Sequence, residues 1–125
     1  MDNIMLLLNI LKTIKTKKQI ENLLKNNEIE AIFAVNELFA VTAIKIANKL
    51  GIKIPEDISI IGFTDGIISK YSTPSITTVS QNGIKMGGKA AKMLIDRLES
   101  EDEEEEEQYR TEVIETELVE RESTI

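Results

Sequence analysis

The chain has no cysteine, no histidine and no tryptophan, and aromatic residues make up only 4% of its 125 positions. Without cysteine there is neither a disulfide framework nor a thiol nucleophile, which fits a reducing, intracellular setting. Without histidine the commonest metal ligand and general base are missing, so no His-dependent triad or zinc site can be built from this chain. No apolar run approaches the roughly 20 residues of a membrane span. The N-terminus does not have the form of a signal peptide: Asp2 stands where a basic region belongs, the apolar piece is short, and no small-residue cleavage site follows.

What remains is an aliphatic chain long enough for one domain, with 42% hydrophobic residues to fill a core. The formal charge of −7 is local in origin. Eight acids lie between Glu99 and Glu107, and without them the balance is +1. Such a run of like charges repels itself and reads as a solvated loop over 99–110. No basic face for phosphate binding emerges, so DNA, if it is a partner, is touched by residues outside this sequence.

The pattern along the chain is alternating strand and helix. Residues 1–15 carry Ile4, Leu7, Leu8, Leu11 and Ile14 at helical spacing, which predicts an N-terminal helix. Thr16-Lys17-Lys18-Gln19 has the form of a capping box opening a helix with Ile20, Leu23 and Leu24 on one face and a stop near Asn26-Asn27. Ala31–Val35 reads as a buried strand, Asn36 as the cap of a helix over 37–50, and Gly51 as its stop. That helix is apolar around much of its circumference, which suggests a second burial surface such as a subunit contact. Residues 58–62 form the next strand, which completes a right-handed βαβ unit.

The centre of the pattern is PEDISIIGFTDGIISKYSTPSITTVSQ, residues 55–81. Asn36 ends one strand and Thr64-Asp65 the next, on the same sheet edge, where ligands bind in open α/β folds. Two readings stand side by side: a ligand rim, or Asn36 as a cap and Asp65-Gly66 as a turn. Residues 66–71 read as a short helical turn, 75–79 as extended, and 84–98 as a helix with Ile84, Gly87, Ala91, Leu94, Ile95 and Leu98 in line. Gly87-Gly88 reads as packing, since the strand and Gly-rich loop of a phosphate site do not precede it. Residues 111–120 alternate as an edge strand, with Ile114, Thr116 and Leu118 on one face.

The segments IFAVNELFAVTAIKIANKLGIKIPEDISIIGFTDG, TPSITTVSQ, MGGKAAKMLIDRLE and TELVERESTI, in this order and spacing, resemble the C-terminal part of lactose-repressor (LacI/GalR) family transcription regulators. The resemblance covers roughly residues 17–125 and implies an α/β fold: a partial periplasmic-binding-protein-like lobe, its parallel sheet flanked by helices. It implies that 16–76 belong to the second lobe, that 77–98 are a crossover and a helix packed in the first lobe of relatives, and that 111–125 return to the second lobe. Family members are more than twice this length, so the chain reads as a fragment without the DNA-binding headpiece. Carried over residue by residue, the effector site comprises Asn36, Phe63, Thr64, Asp65 and Gln81. Thr64 stands where many relatives place an aspartate that grips the ligand, and Asp65 is the neighbour that takes over. The implied dimer interface is Phe39, Ala40, Val41, Ile44 and Ile68.

The function these readings imply is that of a cytoplasmic transcription regulator's effector-binding and dimerisation core, sensing a small sugar-like molecule. The alternative is a small-molecule binding protein of periplasmic type, and an α/β enzyme is the weakest case, because no base partners Ser, Asp or Glu. No cofactor, metal or membrane contact is expected. The expected partners are an effector, a second copy, and DNA only through an absent headpiece.

Overall fold

The computed structural model describes residues 4–7, 13–25, 29–99 and 110–125. Five strands and four helices follow in the order β1 (Ile4–Leu7), α1 (Thr13–Lys25), β2 (Ala31–Ala34), α2 (Glu37–Leu50), β3 (Ser59–Thr64), α3 (Ile67–Tyr71), β4 (Thr77–Ser80), α4 (Gly83–Glu99) and β5 (Glu117–Val119). They form one sheet in the order β1-β2-β3-β4-β5. The first four strands are parallel, and β5 is antiparallel to β4 at the edge. The α/β class, the parallel βαβ core and the terminal edge strand agree with the sequence expectations.

The N-terminus differs. Ile4–Leu7 is a strand paired with Ala31–Ala34, not a helix. Ile-Met-Leu-Leu is a short continuous apolar run, and such a run suits a buried parallel strand as well as a helix. Thr16 lies inside α1 and does not cap it. The proposed stop at Asn26-Asn27 and the acidic loop from 100 to 109 lie outside the described residues.

Because neighbouring strands follow in chain order, right-handed crossovers carry successive helices to one face of the sheet. There Ile32, Ala34, Ile58, Ile60 and Ile76 pack with Ala40, Ala43, Ile44 and Ala47 of α2 and with Ile20 and Leu24 of α1. Alanines line the inner side of α2, which lets it lie close on the sheet. Gly62 serves the same approach, since a Cβ there would stand 3.3 Å from Ile76 Cγ2 and 3.6 Å from Ala40 Cβ. On the opposite face Phe33, Ile61, Phe63 and Val79 are only half-buried. Phe33 and Phe63 meet edge to face there, with ring centroids 6.3 Å apart.

Burial corrects part of the interface expectation. Ala40 and Ile44 are core residues pressed between α2 and the sheet, so they have no surface to offer a partner. Phe39 and Val41 are half-buried against the same core. The exposed apolar side chains of this region are Leu38, Ile67, Ile68 and Tyr71. The apolar excess on α2 is therefore largely absorbed within the chain, by the sheet on one side and α1 on the other.

Asn36 caps α2 as expected: the Phe39 amide donates to its Oδ1 at 2.9 Å. Gly51 closes the helix with φ of 76°. The short α3 is capped from a distance. Its own N-cap, Gly66, has no side chain, and the Ser69 amide donates instead to Glu37 Oε1 at 3.1 Å. A side chain at 66 would collide with that carboxylate. Ser69 itself is fully buried, and its Oγ has no hydrogen-bond partner among the described residues. An unsatisfied buried hydroxyl costs about 1–3 kcal/mol. Ser69→Ala should therefore raise stability, by about 1 kcal/mol in urea-unfolding experiments. Equal or lower stability would show that the hydroxyl is satisfied in solution.

Candidate functional site

The carboxyl ends of β2, β3 and β4 meet at one edge of the sheet. Phe33 is in register with Ile61, and Asn36 and Thr64 each lie three residues beyond that pair. Thr64 is in register with Ser80 on the other side, one residue before Gln81. The structure thus brings Asn36, Thr64 and Gln81 to one rim, with the half-buried Phe63 immediately before Thr64 on β3. The oxygen of Asn36 is taken by its capping bond; the amide nitrogen carries two further donors.

The exit of β3 is held in unusual backbone geometry. Thr64 has φ of 113° and Asp65 has φ of 56°. The second value is one that aspartate tolerates. The first is costly for a β-branched residue and persists only where neighbours enforce it. The enforcing contacts are on Asp65. Its amide donates to Thr78 Oγ1 at 3.3 Å, and its carboxylate receives the Arg121 guanidinium. Lys70 Nζ approaches the other carboxylate oxygen at 3.9 Å. Arg121 is further fixed by donating to the Ile76 carbonyl at 2.7 Å. Asp65 and Arg121 side chains are both 15% exposed, so the pair is largely withdrawn from water. The resemblance implies that Asp65 contacts an effector; in the fold its carboxylate pairs with Arg121 of the C-terminal segment, and Thr64 beside it is exposed.

Residues 121–124 were not singled out from the sequence, yet they organise this edge. The Ile60 amide donates to the Ser123 carbonyl at 2.8 Å, and the Ser123 amide donates to the Ser75 carbonyl at 3.0 Å. Ser123 Oγ accepts from the Thr77 amide at 2.8 Å and donates to the Ile60 carbonyl. Thr77 Oγ1 accepts from the Arg121 amide at 2.8 Å and shares a hydrogen bond with Thr124 Oγ1 at 2.7 Å. Glu122 accepts from the amide and the hydroxyl of Ser75, at 2.8 and 2.9 Å. The signals in the sequence are the place of TELVERESTI in the resemblance, which returns 111–125 to the second lobe, and the compact polar run RESTI within it.

Two outcomes follow. Arg121→Met leaves the Asp65 carboxylate withdrawn from water with only a distant lysine, and should cost about 3 kcal/mol of stability and shift the Thr64 amide resonance. An unchanged unfolding midpoint would remove the clamp from the account. The Ser75 amide, and after it the Ser75 hydroxyl, hold the Glu122 carboxyl below its ordinary value of 4.5. A depressed folded pKa stabilises above the unfolded value, and that stabilisation is lost as pH falls through the folded one. Thermal stability should fall as pH drops below about 4.5, and Glu122→Gln should flatten that fall. Identical acid profiles for both proteins would count against it.

Among the described residues no cluster of acidic side chains could hold a metal ion, and no helix is long and apolar enough to cross a membrane. A family model described as a periplasmic binding protein-like domain matches residues 7–124. The chain is 41% identical over 99 residues to the HTH-type transcriptional regulator MalR of Clostridium butyricum, covering 79% of this chain and 28% of that protein. It is 32% identical over 96 residues to the regulator CelR of Thermobifida fusca, covering 77% and 27%. The chain thus spans little more than a quarter of these relatives. Among solved structures, the periplasmic binding ribose operon repressor protein from Lactobacillus acidophilus aligns at 30% identity with a TM-score of 0.78, over 95% of this chain and 44% of that one. A CelR–cellobiose complex aligns at 30% identity with a TM-score of 0.73, over 86% and 32%. The sheet order, the rim at the strand ends and these likenesses converge: the chain belongs to the periplasmic binding protein-like domain family, as a portion of the effector-binding core of lactose-repressor-type transcription regulators.

Proposed function

We propose that this chain forms one wall of the effector site of a sugar-responsive transcription regulator. The observation that carries the reading is the rim itself, three polar residues from adjacent strand ends beside a half-buried aromatic sheet face. Asn36, Thr64 and Gln81 supply neutral donors and acceptors suited to the hydroxyls of a sugar, and Phe63 offers an apolar backing. Asp65 acts as the brace that sets Thr64 and leaves the ligand contact to its neighbour. A relative solved as a cellobiose complex, and another solved with bound ribose, are consistent with a saccharide effector. Effector binding in this reading biases the arrangement of two lobes, and through it a headpiece outside residues 1–125 that meets operator DNA in the cytoplasm. Dimerisation would use the exposed Leu38, Ile67, Ile68 and Tyr71 on α2 and α3.

The test is a titration of the isotopically labelled chain with D-ribose and with cellobiose, followed through backbone amide resonances. With a single wall, binding in the millimolar range is expected, about −4 kcal/mol. Shifts should concentrate at Asn36, Thr64 and Gln81, and Thr64→Asp should tighten binding about tenfold by adding a charge-assisted hydrogen bond. Saturating sugar that leaves all three resonances in place would overturn the reading.

A further inference from the structure

The guanidinium of Arg121 donates in two directions at once, from Nη1 to the Ile76 carbonyl at 2.7 Å and from Nη2 to the Asp65 carboxylate. The Arg121 backbone is fixed as well, its amide donating to Thr77 Oγ1 at 2.8 Å. One side chain thus bridges the residue that follows β3 to the residue that precedes β4. Ile76 is fully buried, and the Asp65 and Arg121 side chains are largely withdrawn from water. Both ends of the bridge lie within this chain, so no further part of a longer protein is needed to form it.

The residue on which the bridge acts is Thr64. A β-branched side chain keeps a φ of 113° only where the backbone on both sides is held. Upstream, the register of Thr64 with Ser80 holds it in β3. Downstream, Asp65 is held twice, through its amide by Thr78 Oγ1 and through its carboxylate by Arg121. Thr78 is fully buried, which fixes the first of these contacts in place. Lys70, at 3.9 Å with a side chain 54% exposed, is too distant and too mobile to set an angle. A guanidinium is a planar fork that reaches two acceptors in a fixed relation, whereas an ammonium is a point charge on a flexible stem. The direction of the Asp65 carboxylate, and with it the backbone of Thr64, therefore depends on the fork as well as on the charge.

We propose that Arg121 is a positioning residue of the effector rim: acting through Asp65, it holds Thr64 in the left-handed backbone that the ligand meets. This rests on the sensing role proposed above and extends it to a residue 57 positions after Thr64 in the chain.

The test uses the isotopically labelled full chain. The three-bond coupling between the amide and α protons of Thr64 reports its φ; it is small at the observed angle and large in an extended strand. Arg121→Lys keeps the charge and removes the fork, so the coupling should rise towards the extended value. If the competent rim is then populated about a tenth of the time, the affinity for D-ribose or cellobiose falls about tenfold. Asp65→Asn keeps an acceptor for the fork and a residue that tolerates left-handed backbone, so it should retain the small coupling, whereas Asp65→Ala should lose it. These two variants read the same bridge from its other end should Arg121→Lys fail to fold. Ser123→Ala removes bonds of the same segment to Thr77 and Ile60 without touching Asp65, so it should lower stability and leave the Thr64 coupling in place. An unmoved coupling in Arg121→Lys, the same change in Ser123→Ala, or Asp65→Asn behaving like Asp65→Ala would each overturn the proposal. A rim that ignores both sugars in the unaltered chain, while Arg121→Lys still moves the coupling, would overturn the sensing role and leave the positioning of Thr64 by Arg121 standing.

Discussion

Ser123 stands between β3 and the start of β4 with its amide, carbonyl and hydroxyl all engaged in hydrogen bonds to Ile60, Ser75 and Thr77. It is fully buried, which for a serine is tolerable only because each of its polar groups is satisfied. Around it Thr77, Arg121, Glu122 and Thr124 make further bonds that fasten the last residues to the middle of the sheet. The strained exit of β3 depends on the same segment, since Arg121 holds Asp65 and Asp65 follows the residue with φ of 113°. The rim is thus braced by the same stretch of chain, which reaches the exit of β3 through the Arg121 side chain.

Much of this architecture was legible in the sequence where local rules and tertiary demands agree. Asn36 before an apolar helix and Gly51 after it mark α2 to the residue, because capping chemistry is local. The β-branched run before Gly62 marks β3, although the strand continues two residues beyond the expected end, through Thr64, because β4 pairs with it there. The N-terminal strand was not legible. Ile4, Leu7 and Leu8 fit helical spacing, and a four-residue strand is decided by the neighbour it pairs with, Ala31–Ala34, rather than by its own pattern. The resemblance implied a subunit contact at Ala40 and Ile44; the sheet and α1 claim that side of α2, a packing fact invisible in one dimension.

The role of Asp65 shows why a site is harder to read than a fold. The resemblance offers the carboxylate beside Thr64 as the group that takes over a ligand contact. In space its orientation is set by a guanidinium 56 residues later in the chain. No spacing rule connects the two positions. Likewise, the apolar line of α4 was visible as a pattern, but the direction it faces was not. Periodicity defines a stripe and leaves open whether the body or the solvent lies against it.

The placement of the fastening segment has a consequence for how the protein is made. Each βα unit from β1 to β4 contacts mainly its neighbour in the chain, so these pieces can assemble in the order in which they leave the ribosome. Ser123 is the residue that joins β3 to β4 from the side. The four parallel strands can pair before the segment 121–124 is made, and the sheet is fastened only once that segment has docked.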